Sequence, residues 1–496
     1  MPCLGPPLQE GCRTPKYRGR IVSDKAVPVN DESSSGLGQR LGRYARVGAA
    51  MGGVAARVAG HKLTGREPEP EALARDLRGA LGGLKGPLMK AAQILAALPD
   101  VIPPEYAKEL AQLQSDAPPM GWLFVKRRMT GELGQDWPQR FRHFEREASA
   151  AASLGQVHRA VGLQGEDMAC KLQYPDMDSV VTADLRQLAL VLGVFERYDK
   201  ALSTRHVQAE IGARLREELD YQHEARNMAL FADMLAKLPD VHVPRVYSEL
   251  STNRLLTMSW MEGERLDAVD GRSLADRNAV AMNMFRAWYR PFYGYGVIHG
   301  DPHPGNYSFR ADNSVNLLDF GCVRVFPAHL VGAVVELYMA LRDNDEDRAI
   351  AAYENWGFHG ISREMAQVLN IWARFLYAPL LEDRTRLIEE TNTGAFGRQT
   401  ASRVHQELRK LGGGVEVPRA FVLMDRAAVG LGGVFLRLRA EVNWHRLFNE
   451  LVDGFSVADL HKRQRLLLKK HGCPPPQEDE DGPTDTMAAR SKTRKK

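Results

Sequence analysis

The sequence predicts an α+β fold in which a strand-rich lobe precedes a helical lobe, with a cleft between them. Short β-type segments fall within residues 140–175 and 241–262, most clearly in DMACKLQYP and RLLTMSWMEG. One long helical pattern covers residues 205–238 between them, and the pattern is mostly helical from about 270 to 470. A strand-rich piece with one long helix, followed by a helical piece, indicates a bilobal protein.

The 496-residue chain divides into five segments. Residues 1–37 lack periodicity and are rich in Pro, Gly and Ser, while residues 475–496 carry an acidic block followed by a basic one, so both are predicted to be disordered. Between them, residues 38–130 are predicted to form an N-terminal helical extension, 131–262 the strand-rich lobe, and 263–474 the helical lobe.

The bulk composition limits the class of function. Hydrophobic residues make up 44% of the chain, enough for a substantial core. The formal charge is +4, from 66 basic against 62 acidic residues, a balance that does not indicate nucleic-acid binding. The cysteines are scattered without a CxxC pair, so we expect a reducing compartment and neither a disulfide framework nor a cysteine zinc site. They are Cys3, Cys12, Cys170, Cys322 and Cys473.

Several segments bear on membranes and location. No apolar run approaches the roughly 20 residues of a spanning helix, and AAVGLGGVFL (427–436) is interpreted as a buried helix. Residues 38–63 predict basic amphipathic helices, which either pack on the body or lie on a membrane surface. The N-terminus lacks a signal-peptide core, but it is basic and acid-poor. We therefore expect a cytoplasmic protein with peripheral attachment to an inner membrane, and organelle targeting stays open.

The stretch VIHGDPHPGNYSF (297–309) carries the clearest chemistry. Kinase-type phosphoryl transfer uses an aspartate that accepts or positions the proton of the nucleophile, an asparagine in the same loop that holds magnesium, and a second metal-binding aspartate after a strand. Asp301 and Asn306 have the spacing of the first two groups, and Asp319-Phe320-Gly321 follows the apolar strand VNLLDFG (315–321). Each half alone is a weak signal, but the two in this order indicate a phosphoryl-transfer site.

Two other interpretations of this loop are a zinc site and a plain turn. His299 and His303 have the i, i+4 spacing of helical zinc ligands, but Pro302 and Pro304 exclude a helix there. A plain Asp-Pro turn is the second alternative. We expect instead that the prolines stiffen a catalytic loop and that His303 braces the carboxylates on the metal side.

A kinase-type site also needs a strand lysine paired with a helix glutamate. MACKLQYP supplies Lys171, and the predicted long helix supplies EELDYQHEARN (217–227). At about 100° per residue, Asp220 and Glu224 share one face of that helix, while Glu218 points away from both. We predict that Glu224 pairs with Lys171 and that Glu218 and Asp220 serve other partners, with a solvated acidic face as the alternative.

The segment before the Lys171 strand departs from a kinase. A glycine-rich loop GxGxxG is expected there, but the chain has ASAAASLGQVH (148–158). Alanine does not adopt the positive-φ conformations that let glycine bring backbone amides close to phosphates. This segment must therefore contact the nucleotide phosphates in a different way from the glycine-rich loop of a protein kinase.

Four segments together resemble the UbiB/AarF family of atypical kinase-like proteins tied to ubiquinone biosynthesis. They are the Ala-rich loop AAASLGQVH (150–158), the ExD element ELDYQHEA (218–225), the pair HGDPHPGN and DFG, and the KxGQ-type helix KAAQ (90–93). The resemblance runs from about residue 40 to 450. It implies a protein-kinase-like bilobal α+β fold with an N-terminal helical extension that covers the active site.

The resemblance also implies roles for single residues. Lys171 and Glu224 would form the ion pair that positions the nucleotide phosphates, Asp301 would be the catalytic-loop aspartate, and Asn306 and Asp319 would hold Mg²⁺. The cofactors would be ATP or ADP with magnesium. The residues expected to contact the nucleotide are Ala150, Ala151, Ala152 and Ser153 of the Ala-rich loop, Lys171, and Trp260 and Met261 of the segment joining the lobes.

The same resemblance implies that Lys90 and Gln93 meet Glu218 and Asp220, so that their helix blocks the site of a protein substrate. This favours an ATPase or a small-molecule kinase, with a lipid quinone precursor, quinone-biosynthesis proteins and a membrane surface as partners. Ala92 stands where the family has glycine. Because alanine is favoured over glycine in a helix by about 1 kcal/mol, we expect the covering helix to be stiffer or packed slightly farther away, with the same placement of Lys90 and Gln93. Two alternatives remain: a phosphotransferase of the aminoglycoside or choline kinase type, and a nucleotide-binding pseudokinase scaffold.

Overall fold

A computed structural model of the protein describes residues 120–152, 154–196, 204–358, 360–389 and 418–476, together with residues 404 and 407. The predictions for the N-terminal segment through residue 119, including the helices of 38–63 and the Lys90 helix, lie outside the described residues. So does nearly all of the predicted acidic and basic tail.

The first lobe is built on a five-stranded antiparallel sheet. Its strands have the order β1-β3-β4-β6, and β2 pairs with β3 as a hairpin. The strands are β1 (Phe141–Phe144), β2 (Ala150–Ala152), β3 (Gly155–Gly162), β4 (Asp167–Gln173) and, after several helices, β6 (Leu255–Ser259).

Helix α1 (Trp122–Leu133) covers the outer face of this sheet. Its buried residues Val125, Met129 and Leu133 pack in one cluster with alternate β4 residues, Met168, Cys170 and Leu172. The alternation follows from the two-residue period of a strand. The residues between them, Ala169 and Lys171, therefore point toward the second lobe.

The helical pattern predicted over 205–238 is two helices and not one. Helix α3 (Thr204–Leu219) ends just before Asp220, and helix α4 (Tyr221–Leu235) begins just after it. The Asp220 carboxylate caps α4 by accepting hydrogen bonds from the backbone N–H groups of Gln222 and His223. Asp220 and Glu224 therefore do not share a face of one continuous helix, contrary to the prediction, because an aspartate that satisfies free N–H groups favours a new helix start. Before α3, helix α2 spans Met177–Glu196.

The second lobe is mostly helical, with small β-ribbons at the cleft. The ribbons pair β7 with β10, and β5 with β9 and β8. The elements are β5 (Val241–His242), α5 (Leu266–Val269), α6 (Leu274–Tyr295), β7 (Val297–His299), β8 (Tyr307–Phe309), β9 (Val315–Leu317), β10 (Val323–Val325), α7 (Ala328–Asp343), α8 (Glu346–Asn355), α9 (Arg363–Leu381), α10 (Arg419–Leu438), α11 (Trp444–Val452) and α12 (Val457–His471).

One large apolar core joins this lobe to α4. It includes Phe231 of α4, Trp288 of α6 and Phe320 after β9. The segment 427–436 lies within α10, so the predicted helix is confirmed, but only one face of it is buried: Ala427 and Leu431 are fully buried, whereas Val429 is 48% exposed. The architecture is the predicted α+β, bilobal, kinase-like fold, and the cleft lies between the sheet and the β-ribbons.

Candidate active site

Lys171 is the cation of the cleft, and its strand position aims it there. Its register partner on β3 is Val157 and on β6 is Leu256. The neighbouring residues Cys170 and Leu172 are buried under α1 on the opposite face. The Lys171 ammonium lies 5.2 Å from the centre of the Tyr221 ring, a cation–π contact with the first residue of α4.

Lys171 joins two carboxylates from different parts of the fold. Its Nζ lies 2.8 Å from both oxygens of Glu224 on α4 and 3.2 Å from Oδ2 of Asp319. The Glu224 side chain is only 3% exposed, whereas Asp319 is 41% exposed and faces the cleft. The sequence-predicted pair is thus brought together, with Asp319 as a third member.

Burial dominates the electrostatics of this cluster. Desolvation raises the pKa of Glu224 to about 7, although the Lys171 ammonium opposes that shift. Desolvation by itself would lower the pKa of Lys171, but Asp319 and Glu224 together raise that pKa well above its ordinary value. Lys171 therefore keeps its proton near neutral pH, and the charge of Glu224 is the one that titrates there.

The Asp319-Phe320-Gly321 segment is held from several sides. The Phe320 N–H points at Glu224 Oε1 at 3.5 Å, and the Asn227 side chain of α4 donates to the Phe320 carbonyl at 2.9 Å. The Phe320 ring packs within 5.2 Å of Phe231 on α4 and 5.7 Å of His299, measured between ring centres. These contacts join the Asp319-Phe320-Gly321 segment and helix α4 into one packed unit.

His299 supports this unit and does not act as a ligand. Its Nδ1 accepts a hydrogen bond from the Asp301 N–H at 3.3 Å, so its Nε2–H donates to the Asp319 carbonyl at 2.5 Å. Trp288 donates its indole N–H to the His299 carbonyl at 3.0 Å. Both ring nitrogens are engaged, and the ring links the backbones of the two predicted site aspartates.

The catalytic loop brings Asp301 and Asn306 together. The Asn306 amide nitrogen donates to Asp301 Oδ2 at 2.9 Å and to the Asp301 carbonyl at 3.1 Å. The expected role of His303 is corrected: its exposed ring accepts a hydrogen bond from the Gly305 N–H at 3.1 Å and caps the short turn Pro304–Asn306. The reason is proximity: Gly305 follows His303 by two residues in a tight turn, which brings its N–H within reach of the His303 ring.

The oxygen atoms here fit a hard divalent cation. Since Asn306 uses its amide nitrogen on Asp301, the oxygen of the same amide is the atom that could reach a metal. The Asn306 carbonyl accepts from the Leu318 N–H at 2.9 Å, which ties this residue to the strand end before Asp319. Carboxylate and amide oxygens are the ligands that Mg²⁺ prefers. Asn306 and Asp319 are thus the residues that could hold magnesium.

The Ala-rich segment forms a strand and not a glycine loop. Ala150, Ala151 and Ala152 pair antiparallel with Val157, Gln156 and Gly155 of β3. Ser153 lies outside the described residues. Gly155 is sterically required, because a Cβ there would lie 2.2 Å from the Leu172 carbonyl oxygen and 2.9 Å from the Tyr221 hydroxyl.

The ExD residues occupy the junction of α3 and α4. Asp220 caps α4, and its second carboxylate oxygen lies 3.7 Å from Arg226. Glu218 lies near the metal loop: a Cβ on Gly321 would be 3.9 Å from Glu218 Cγ. Lys90 and Gln93, their predicted partners, lie outside the described residues.

Trp260 and Met261 follow β6 in the segment that joins the lobes. The Trp260 N–H donates to the Asp167 carbonyl at 2.9 Å, and its indole donates to Glu262 at 3.0 Å. The Arg159 guanidinium lies 5.0 Å from the Trp260 ring centre. The joining segment is thereby fixed to the edge of β3 and β4.

Sequence reasoning missed two residues that shape this site, Tyr221 under Lys171 and Gly430 of α10. His299 was part of the recognised motif, but its link between the two aspartates was not predicted. A Cβ on Gly430 would lie 2.5 Å from Cγ of Pro302, so α10 packs directly on the catalytic loop. The only sequence signal for Gly430 was its place in a glycine-rich helix, which does not say what approaches it.

The bilobal fold and the Lys171–Glu224–Asp319 cluster define a kinase-like protein. Residues 112–353 match the family model described as the ABC1 atypical kinase-like domain. An uncharacterized Synechocystis protein is 30% identical over 297 residues, which cover 57% of this chain and 71% of that protein. The chain belongs to the UbiB/AarF family, also called ABC1, of atypical kinase-like proteins.

Longer relatives carry kinase names. Protein Activity of BC1 Complex Kinase 1, chloroplastic, from Arabidopsis thaliana is 37% identical over 287 residues, and AarF domain-containing protein kinase 1 of Xenopus laevis is 32% identical over 271. These alignments cover 55% and 53% of this chain, but only 42% and 52% of the relatives. The chain thus spans about half the length of these two relatives.

A solved structure supports the fold directly. The complex of Rv3197 with erythromycin from Mycobacterium tuberculosis matches with a TM-score of 0.56 and 25% sequence identity, over 78% of this chain and 97% of that one. Among the helices of the described ranges, none combines the length and the apolarity that crossing a membrane requires.

Proposed function

We propose that this protein binds Mg-ATP in the cleft and acts as an ATPase or as a phosphotransferase on a small-molecule or lipid-linked substrate. The observation that carries the proposal is the contact of Lys171 with both Glu224 and Asp319. A lysine fixed between a buried glutamate and a metal-side aspartate is the arrangement that nucleotide phosphates need.

The residues of the cleft have separate roles in binding the nucleotide, holding the metal and accepting a proton. Lys171, held by Glu224, neutralises charge on the nucleotide phosphates, and Asn306 with Asp319 would hold magnesium. When bound, magnesium neutralises phosphate charge and orients the transferred group. Asp301, oriented by Asn306, accepts the proton of the attacking hydroxyl or water. Ala150–Ser153 cover the nucleotide, and the backbone at Trp260 and Met261 contacts adenine.

The biological setting is part of the same proposal. Membership in this family supports a role in isoprenoid quinone biosynthesis, with a lipid quinone precursor and quinone-biosynthesis proteins as partners. We place the protein in the cytoplasm, peripherally at an inner membrane, through the basic segment 38–63. The Arabidopsis relative is named as chloroplastic, so an organelle is the second location. Flotation with anionic liposomes tests the membrane part, and a protein that stays in solution contradicts it.

The covering role of the N-terminal extension follows the family pattern. We propose that Lys90 and Gln93 meet Glu218 and Asp220 over the cleft, which excludes a protein substrate. Replacing Lys90 should then alter nucleotide turnover without altering the fold.

The experiment that tests the proposal is thermal unfolding of wild type and Asp319→Asn, with and without Mg-ATP. Ligand at a hundredfold excess over its dissociation constant stabilises by about 2.7 kcal/mol, which raises the midpoint by a few degrees. We expect a magnesium-dependent rise in wild type and a smaller one in the variant. No rise in either contradicts nucleotide binding, and a rise without measurable hydrolysis favours the scaffold alternative.

The identity of the phosphoryl acceptor is tested in separate assays. Hydrolysis of ATP is measured alone, with a soluble ubiquinone precursor, and with erythromycin, the ligand of the M. tuberculosis relative. Stimulation by the precursor supports the quinone-linked function. Phosphorylation of an added amino alcohol or aminoglycoside would favour the small-molecule phosphotransferase alternative.

A further inference from the structure

Two polar side chains lie where the sheet should be apolar. Gln156 and His158 of β3 are 2% and 0% exposed, on the face that α1 covers. Their register partners on β4 are the buried apolar residues Leu172 and Cys170. An apolar side chain would satisfy the strand pattern at both positions, so the buried amide and imidazole call for a specific explanation.

The Gln156 side-chain amide forms two hydrogen bonds with the backbone of Met120. Its Oε1 accepts from the Met120 N–H at 2.6 Å, and its Nε2 donates to the Met120 carbonyl at 3.3 Å. The second Nε2 proton points at His158 Nε2, 2.7 Å away. One carbonyl and two N–H groups are all that a glutamine side chain offers, and each has a partner here.

The chain of hydrogen bonds has a single direction. Because Gln156 Nε2 can only donate, His158 Nε2 accepts, and its proton must sit on Nδ1. That Nδ1–H donates to the Glu145 carbonyl at 2.9 Å, just after β1. Burial lowers the pKa of His158, which keeps the ring neutral as this arrangement requires. The relay therefore connects Met120, β3 and the end of β1.

Gln156 connects two parts of the fold, the backbone before α1 and the Ala-rich hairpin. Met120 is 36 residues before Gln156 and lies two residues before the start of α1. Gln156 pairs with Ala151 in the Ala-rich hairpin and adjoins Val157, the register partner of Lys171. We propose that Gln156 is a positioning residue that fixes the nucleotide-covering hairpin to Met120, at the point where the chain enters helix α1. This inference rests on the proposed nucleotide site.

The test uses Gln156→Met, which keeps the length of the side chain and removes its hydrogen bonds. The matched control is Thr257→Val on β6 of the same sheet, where a buried hydroxyl that donates to the Leu250 carbonyl at 2.6 Å is replaced by a methyl group. Backbone hydrogen exchange without nucleotide is followed in residues 148–157, and Mg-ATP affinity is measured by calorimetry on the folded protein.

Gln156→Met should raise exchange in the hairpin at least fivefold and weaken Mg-ATP binding at least fivefold, whereas Thr257→Val should lower the melting temperature and leave both unchanged. Equal hairpin exchange in the two variants would overturn the inference and leave Gln156 as a core residue. If wild type binds no Mg-ATP, the proposed function fails, but the exchange data still decide whether Gln156 positions the hairpin.

Discussion

Lys171 Nζ lies 2.8 Å from both carboxylate oxygens of Glu224, although 53 residues separate them in sequence. The contact fixes helix α4 against strand β4. Because Glu224 Oε1 also faces the Phe320 N–H, the same carboxylate touches the loop that carries Asp319. The position of α4 therefore sets the geometry of both the lysine and the metal loop.

Lys171→Met should be strongly destabilising. Without Lys171 the buried Glu224 must either stay charged without a partner or take up a proton, and breaking a buried ion pair costs about 3–5 kcal/mol. The Lys171→Met, Glu224→Gln double variant should recover much of this loss, because no buried charge remains. Urea unfolding at pH 8 measures all three proteins.

The control for this prediction is Arg254→Met. Arg254 pairs with Asp178 at 3.5 Å, and the two side chains are 49% and 72% exposed. An exposed pair contributes at most about 1 kcal/mol. If Lys171→Met loses no more stability than Arg254→Met, the buried pair does not have the energetic role assigned to it.

Nucleotide binding should fall as the pH falls through about 7, where the Glu224 carboxylate takes up a proton. The uncharged form no longer holds Lys171 toward the phosphates. Mg-ATP affinity of wild type should therefore drop between pH 8 and pH 6, and Glu224→Gln should be weak throughout and lack this titration. A wild-type profile that is flat over this range contradicts the assignment.

The stability contribution of Glu224 should run in the opposite direction. Burial raises its pKa in the folded protein from 4.5 to about 7, so the folded state binds this proton more tightly than the unfolded state. The contribution is fully present below about pH 4.5 and is lost as the pH rises through about 7. Urea unfolding at pH 6 and pH 8 should show a smaller pH dependence for Glu224→Gln than for wild type.

The sequence alone predicted the parts of the site that depend on local pattern. The strand that carries Lys171 and the loop from Asp301 to Asn306 could be located because their spacing and periodicity are local properties. The break at Asp220 could not, since the helical pattern continues across it and only the capping bonds to Gln222 and His223 mark a new start. The Gln156 contact with Met120 depends on which backbone a buried amide meets, and no periodicity encodes that.

Asp220→Ala should destabilise the protein by about 1 kcal/mol, because α4 loses its N-terminal cap. The matched control is Ser273→Ala, which removes the cap of α6 far from the ExD element. If Asp220 also contacts the N-terminal extension as proposed, Asp220→Ala should change ATP turnover and Ser273→Ala should not. Thermal unfolding and hydrolysis assays are run on both. Equal effects on turnover would reduce Asp220 to a helix cap.

Gly430→Ala should impair catalysis although it improves helix propensity. Alanine is favoured over glycine inside a helix by about 1 kcal/mol, but the new Cβ would lie 2.5 Å from Cγ of the rigid, buried Pro302. The loop must shift, and Asp301 is its neighbour in sequence. Because a displacement of about 1 Å can cost about a hundredfold in rate, we expect kcat/KM to fall at least tenfold.

Gly433→Ala provides the comparison on the same helix. A Cβ on Gly433 meets nothing within 4 Å among the surrounding atoms, so this variant gains helix propensity without a clash. It should unfold at a slightly higher temperature than wild type and keep its full turnover. The difference between the two variants isolates the contact with Pro302 from the general effect of stiffening α10. If Gly430→Ala leaves turnover unchanged, the geometry of the catalytic loop does not depend on the packing of Pro302 against α10.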